Sequence, residues 1–114
     1  MSNPANLREH HDPAAIFSAL GDETRLALVS KLSDGRPRSI MHLTKGLGLS
    51  RQGVTKHLRV LENAGLVKSR KQGRESRFAL APDPVQTARN YLERVAADWD
   101  EALRNLKAFV VEEQ

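Results

Sequence analysis

Residues 50–80, SRQGVTKHLRVLENAGLVKSRKQGRESRFAL, decide the fold of this 114-residue chain. In the first part of this stretch Val54, Leu58 and Leu61 recur at spacings of four and three, which predicts the buried stripe of a helix. In the second part, LVKSR, KQGRE and SRFAL predict two short strands around a glycine-centred turn, with Val67 and Phe78 as the inward anchors. The stretch therefore predicts a helix that is followed at once by a basic hairpin.

A polar row occupies the opposite face of this predicted helix. A helix that only packs needs no such row, whereas a helix in the DNA major groove does, because base edges offer donors and acceptors and phosphates attract positive charge. Gln52 can pair with adenine, Thr55 can meet a thymine methyl, and Lys56 can reach guanine. We predict that these three side chains read bases, with Arg51 helping from the first turn. The row, named here the reading row, is Gln52, Thr55, Lys56 and Arg59.

Basic side chains in and beside the hairpin have little to pack against. A hairpin of this kind, called a wing, commonly lies across a minor groove, where the negative potential attracts arginine; the alternative is a solvated turn. His57 lies next to the reading row, and its expected role is packing or a hydrogen bond to a phosphate. We expect the following residues to hold phosphates or enter the minor groove: Arg59, Arg70, Lys71, Arg74 and Arg77.

The net charge of +4 is unevenly distributed. Residues 36–80 carry eleven Lys and Arg against two acidic residues, whereas residues 1–35 and 81–114 are both net acidic. A basic centre between acidic ends predicts a polyanionic partner. The alternative, a solubilising surface, usually mixes both signs.

The composition also excludes several classes of protein. The sequence contains no cysteine, which excludes disulfides and thiolate metal sites and fits a reducing cytoplasm. The sequence has no apolar run of about 18 residues, so we expect no membrane span. The N-terminus lacks the apolar segment of a secretory signal. No Ser-His-acid or Cys-His arrangement and no phosphate-binding glycine loop can be assembled, so we expect no enzyme.

The organisation of the chain follows from caps and apolar periodicity. Residues 1–11 show no periodicity and are expected to form a flexible tail, whereas residues 12–114 form a single domain. Asp12, Asp22, Ser39 and Ser50 are predicted to cap successive helices. The third and fourth helices, joined by a tight turn, predict a helix-turn-helix. The predicted helices span residues 13–20, 23–34, 39–47, 50–63 and about 84–111.

The last predicted helix carries an apolar seam with alternating spacings of three and four. A helix of about 28 residues extends roughly 42 Å, more than a small winged domain can cover, so the rest of the seam predicts a second copy of the chain as its partner. The first helix is its natural companion. The predicted dimer interface contains Ile16, Phe17, Leu92, Val95, Trp99, Ala102, Leu106 and Phe109.

From residue 13 onward the chain resembles the ArsR/SmtB family of bacterial winged-helix repressors. The resemblance rests on three segments that occur in the order and spacing of the family: FSALGDETRLALVSKL, LGLSRQGVTKHLRVLENAGLV and KQGRESRFAL. The resemblance implies a mainly α-helical fold with a small β-hairpin, a winged helix-turn-helix of order α-α-α-α-β-β-α. It also implies a homodimer held by the first and last helices. The function it implies is repression at a pseudo-palindromic promoter site, often the protein's own.

The metal sites of the family do not transfer to this sequence. The family's thiolate site uses cysteines on the helix that here reads SIMHLTKGLG, and residues 84–114 contain no histidine for its second site. The chain resembles a subgroup that lacks the usual metal-sensing sites, and we expect no metal or other cofactor. An effector, if one exists, is unknown; Tyr91, Trp99 and Phe109 are the aromatic residues that could line a small apolar pocket.

Two other functions remain as alternatives. The chain could be a winged-helix module for protein interaction, a function that would not require the polar side chains of the reading row or the basic side chains of the wing. It could also be a non-specific architectural DNA binder, which would need the basic residues but no preferred site.

Overall fold

The computed structural model describes residues 12–113; the predicted flexible tail, residues 1–11, lies outside the described residues. Five helices and three short strands follow one another along the chain. In order they are α1 (Pro13–Leu20), α2 (Glu23–Lys31), β1 (Arg38–Ser39), α3 (Ile40–Thr44), α4 (Arg51–Asn63), β2 (Val67–Gln72), β3 (Glu75–Leu80) and α5 (Pro82–Glu113).

Four of the helices begin at the predicted caps. The side chain of Asp12 accepts from the backbone N–H of Ala14, and that of Asp22 accepts from Arg25. The hydroxyls of Ser39 and Ser50 likewise accept from N–H groups in the first turns of α3 and α4. Each cap satisfies a donor that the helix itself cannot pair, which is why short polar residues predict these starts well.

Two of the predicted helix ends were wrong. Helix α2 ends at Lys31 rather than residue 34, and α3 ends at Thr44 rather than residue 47. In the second case Gly46 and Gly48 adopt φ values of 77° and 70°. This left-handed conformation cannot continue a right-handed helix and is readily adopted by glycine. The longer turn places Ser50 at the start of α4.

The sheet has three antiparallel strands in the order β1-β3-β2, one more than the sequence predicted. Arg38 and Ser39 pair with Phe78 and Arg77 of β3. A two-residue strand has no periodicity of its own, so only its pairing partner reveals it. The added strand connects the start of α3 to the base of the hairpin and thus joins the helix-turn-helix to the wing.

The core lies between α1–α4 and the inner face of the hairpin. Val67 and Phe78, the predicted anchors, are 1% exposed. Ile16 is completely buried in the same core. The prediction that Ile16 contributes to a dimer interface was therefore wrong, because its side chain is already covered within one chain. The rest of the core is formed by Ala19, Leu28, Leu32, Leu43, Val54, Leu58, Leu61 and Leu66.

Helix α5 is 32 residues long, about 48 Å by its rise per residue. It contacts the rest of the chain near its N-terminus, where Pro84 is buried and Ala88 packs against the core. Phe17 of α1 packs against Tyr91, with ring centroids 5.6 Å apart. Beyond this contact the apolar seam is open, and Trp99 is 63% exposed.

Candidate nucleic-acid interface

The apolar stripe of α4 positions its polar face. Val54, Leu58 and Leu61 have no exposed surface, so the helix cannot rotate without uncovering the core. Gln52, Lys56 and Arg59 are exposed on the other side, and Thr55 is half-buried. An open depression between α3 and α4 is lined by Ile40, Arg51, Gln52, Thr55 and Lys56. The structure thus brings together the side chains that were predicted to read bases.

The hydroxyl of Thr55 is engaged within the helix. Its Oγ1 donates to the backbone carbonyl of Arg51 at 2.7 Å. Thr55 can therefore offer a ligand its methyl group and the acceptor lone pairs of Oγ1, but not a donor. This fits contact with a thymine methyl, or acceptance from a base amino group, and not donation to a base.

Arg59 differs from the rest of the reading row because it has an acidic partner. Its Nη1 donates to Oε1 of Glu62 at 2.8 Å, and the other oxygen of Glu62 accepts from the hydroxyl of Ser69 on β2. One carboxylate thereby joins the end of α4 to the wing. The sequence did not predict this link, since Ser69 and Glu62 belong to different elements.

The strand register places like charges opposite each other on the wing. Arg70 and Arg77 are direct cross-strand partners, and both are exposed. Two like charges in this arrangement repel, and the carboxylate of Glu75, 3.4 Å from Arg77, offsets part of this repulsion. Lys68, two residues before Arg70 on the same strand face, adds to this patch. It was not among the residues predicted from the sequence, although the period of two along the strand places it on the face of Arg70.

The wing tip carries further positive charge. Lys71 and Arg74 are exposed near the turn at Gly73. Among the described residues neither has an acidic side chain within salt-bridge distance, whereas Arg77 has Glu75 at 3.4 Å. The hairpin therefore presents several cations that can meet phosphate groups without first leaving a protein partner.

His57 faces the start of α2. Its Nδ1 lies 3.2 Å from Nη1 of Arg25 and 3.7 Å from Oδ2 of Asp22. The pKa of the Asp22 carboxyl is lowered chiefly by the hydrogen bond from the backbone N–H of Arg25; partial burial opposes this, and the Arg25 guanidinium adds to it. The half-buried ring fits packing, one of the two roles predicted for His57, and the hydrogen bond to a phosphate stays a prediction.

Among the side chains that the structure describes, residues 12–111, no three histidine or acidic groups converge in a way that could hold a metal ion. None of the described helices is both long enough and apolar enough to cross a membrane.

Comparison with known proteins connects this geometry to transcriptional regulators. A helix-turn-helix domain model matches residues 20–70. The HTH-type transcriptional regulator Rv2034 of Mycobacterium tuberculosis is 34% identical over 97 residues, which cover 85% of this chain and 87% of that protein. The uncharacterized HTH-type transcriptional regulator YuzN of Bacillus subtilis is 42% identical over 78 residues, 63% of this chain and 85% of that protein.

A solved structure extends the likeness to three dimensions. An ArsR-like transcriptional regulator from Rhodococcus sp. RHA1 superposes with a TM-score of 0.66 at 37% identity, covering 85% of this chain and 91% of that one. The relatives are regulators rather than enzymes.

Proposed function

Because the chain belongs to the ArsR family of winged helix-turn-helix transcriptional regulators, which bind DNA, we propose that it is a homodimeric repressor. In this proposal it occupies a pseudo-palindromic promoter site, which can be its own, and acts in the cytoplasm. It uses no metal or other cofactor.

The observation that carries this proposal is the pairing of an exposed reading row with a strongly basic wing. Arg70 lies directly opposite Arg77, and the carboxylate of Glu75, 3.4 Å from Arg77, offsets only part of the positive charge of the hairpin, which a phosphate backbone can neutralise further. A protein-interaction surface needs neither this excess of positive charge nor the polar row beside it. The two features lie on adjacent elements, α4 and the hairpin, as major-groove and minor-groove contacts require.

The residues divide into two groups in this proposal. Gln52, Thr55 and Lys56 read base edges, helped by Arg51, because they project from the face of α4 opposite the core. The second group holds phosphates or enters the minor groove, and consists of His57, Arg59, Arg70, Lys71, Arg74 and Arg77, to which we add Lys68.

The homodimer is supported by the open seam of α5. Leu92, Trp99 and Leu106 follow one another at intervals of seven residues and are each at least 50% exposed. Such a row of large apolar side chains on a helix that leaves its own domain is typical of an unfilled helix interface. Phe17, half-buried beside Tyr91, continues the surface onto α1. The remaining proposed members are Val95, Ala102 and Phe109.

Selection of bound sequences from random DNA tests the proposal directly. The purified protein should enrich a two-fold symmetric site whose half-sites are about one helical turn apart or a multiple of it. Enrichment of a single asymmetric half-site would contradict the dimer. Binding without enrichment of any sequence would indicate architectural DNA binding, and absence of DNA binding would favour a protein-interaction module.

Variants of the selected complex then test the division of residues. Gln52→Ala should reduce the preference for the selected site by about 1–3 kcal/mol, because a base-specific contact is lost. Arg74→Ala should weaken binding to all sequences alike and reduce the slope of log affinity against log salt by about one. Equal losses on selected and random DNA for both variants would show that Gln52 reads no base.

A further inference from the structure

The guanidinium of Arg25 links three helices, α1, α2 and α4. Arg25 lies on α2, and its Nε donates, over a distance of 2.5 Å, to the backbone carbonyl of Ala19 near the end of α1. Nη1 of the same side chain lies 3.2 Å from Nδ1 of His57 on α4. The second contact joins residues 32 positions apart in the sequence, and His57 lies on the flank of α4 between its buried stripe and its reading row.

The chemistry of this contact determines where the imidazole carries its proton. An arginine has five N–H donors and no acceptor, and it remains charged in proteins. Nδ1 of His57 can therefore meet Arg25 only as an acceptor, with its lone pair unprotonated. The ring proton then resides on Nε2. A proton on Nδ1 would instead face the guanidinium and remove the hydrogen bond.

The carboxylate of Asp22 strengthens this arrangement from the side. Its Oδ2 accepts from the backbone N–H of Arg25 at 3.0 Å and lies 3.7 Å from Nδ1 of His57. The distance to the ring is longer than a hydrogen bond, so Asp22 serves as the cap of α2 and as a counter-charge for Arg25. The backbone N–H of Arg25 is thus bound by Asp22, and its guanidinium contacts Ala19 and His57.

We propose that Arg25 is a positioning residue for DNA recognition, holding His57 in its Nε2–H form and adding to the apolar stripe of α4 a polar link that restricts the rotation of α4 against α1 and α2. The inference rests on the proposed function. With Nδ1 engaged, the only polar group that His57 offers is an N–H donor, which suits a phosphate oxygen and cannot accept from a base. A rotation of α4 would displace the reading row from the groove.

The tautomer can be measured without DNA. Long-range ¹H–¹⁵N spectra of the full chain, recorded at a pH at which imidazoles are neutral, should show His57 as a single Nε2–H tautomer. His42, exposed on α3 and without a side-chain hydrogen bond among the described residues, serves as the internal reference. In Arg25→Met, which keeps the length but removes the donors, His57 should show a mixture of tautomers like that of His42. A mixture in the wild-type chain, or an unchanged His57 in the variant, overturns the inference.

Binding to the selected DNA site tests the positioning role. Arg25→Met should lower the preference for that site over random DNA by about tenfold, the size of one lost base contact. Arg104→Met, which removes the same charge from an exposed position on α5, should leave the preference unchanged. Equal effects of the two variants, or a tautomer change with no change in preference, overturn the role.

The two parts of the experiment separate this inference from the function on which it rests. A wild-type chain without any preferred DNA site overturns the proposed function, and with it the positioning role of Arg25. The spectra decide the tautomer of His57 independently of that result. If Arg25→Met does not fold, Arg25→Gln, whose amide can accept from Nδ1–H as well as donate to Nδ1, replaces it in both measurements with the same expected results.

Discussion

At the scale of single residues, the engaged hydroxyl of Thr55 changes what this side chain can recognise. A free threonine hydroxyl could donate to a base or accept from one, whereas a hydroxyl that already donates to the Arg51 carbonyl leaves only its acceptor lone pairs and the methyl group. This makes Thr55 a candidate for apolar contact with a thymine methyl or for acceptance from a base amino group, and not for donation to a base.

Two substitutions distinguish the methyl group from the hydroxyl. Thr55→Val keeps the methyl and the branched Cβ and should retain the preference for the selected site. Thr55→Ser keeps the hydroxyl and should lose about 0.8 kcal/mol, or about fourfold in affinity, at one thymine position. Competition binding with thymine and uracil at that position measures the effect, because uracil lacks the methyl. The reverse ranking of the two variants would mean that the hydroxyl makes the contact.

At the scale of elements, Glu62 is the point where the reading helix and the wing meet. Its two oxygens accept from Arg59 on α4 and Ser69 on β2, both at 2.8 Å. The carboxylate therefore stabilises the angle of the wing but also occupies a cation that phosphate would attract. Exposed pairs of this kind contribute little to stability, so a competing phosphate can displace the carboxylate.

Removal of this acidic charge should strengthen binding to DNA. Glu62→Gln frees Arg59 from its ion pair and should raise the affinity for random DNA by about two- to fivefold, with a small change in unfolding free energy. Glu93→Gln is the matched control, because it breaks an exposed ion pair with Arg89 on α5, away from the proposed DNA interface on α4 and the wing. Fluorescence anisotropy with a labelled duplex measures both. A similar gain from Glu93→Gln would indicate an effect of net charge alone.

At the scale of the whole molecule, the single chain is extended. Its Cα radius of gyration is 18.4 Å, whereas a compact domain of about 100 residues has about 13 Å. Helix α5 accounts for the excess, since most of its length has no contact with the core. An exposed apolar row this long is costly in water, and a second copy is the occupant that we propose.

Substitution of Trp99 tests whether a second copy of the chain covers the apolar seam of α5. Trp99→Asp places a charge in the seam and should raise the dimer dissociation constant by about thirtyfold, equivalent to about 2 kcal/mol for an aromatic anchor. Ala97→Asp adds the same charge on the opposite face of α5, where it is exposed, and should have no effect. Sedimentation equilibrium measures both constants. A wild-type chain that is monomeric at every concentration contradicts the dimer.

Much of this architecture could be predicted because its causes are local. Caps such as Asp22 and Ser50 act within three residues, and apolar spacings of three and four define which face of a helix is buried. The position and polar face of α4 and the inward anchors Val67 and Phe78 follow from such signals. The family resemblance rests on the same segments.

The tertiary structure decided what depends on partners distant in the chain. The third strand exists because β3 pairs with Arg38 and Ser39, Ile16 belongs to the core because other helices cover it, and His57 meets Arg25 across 32 positions of sequence. Amino-acid patterns report which side of an element is buried, but not which other element covers it. That choice is made by packing, where all elements compete for the same apolar surface.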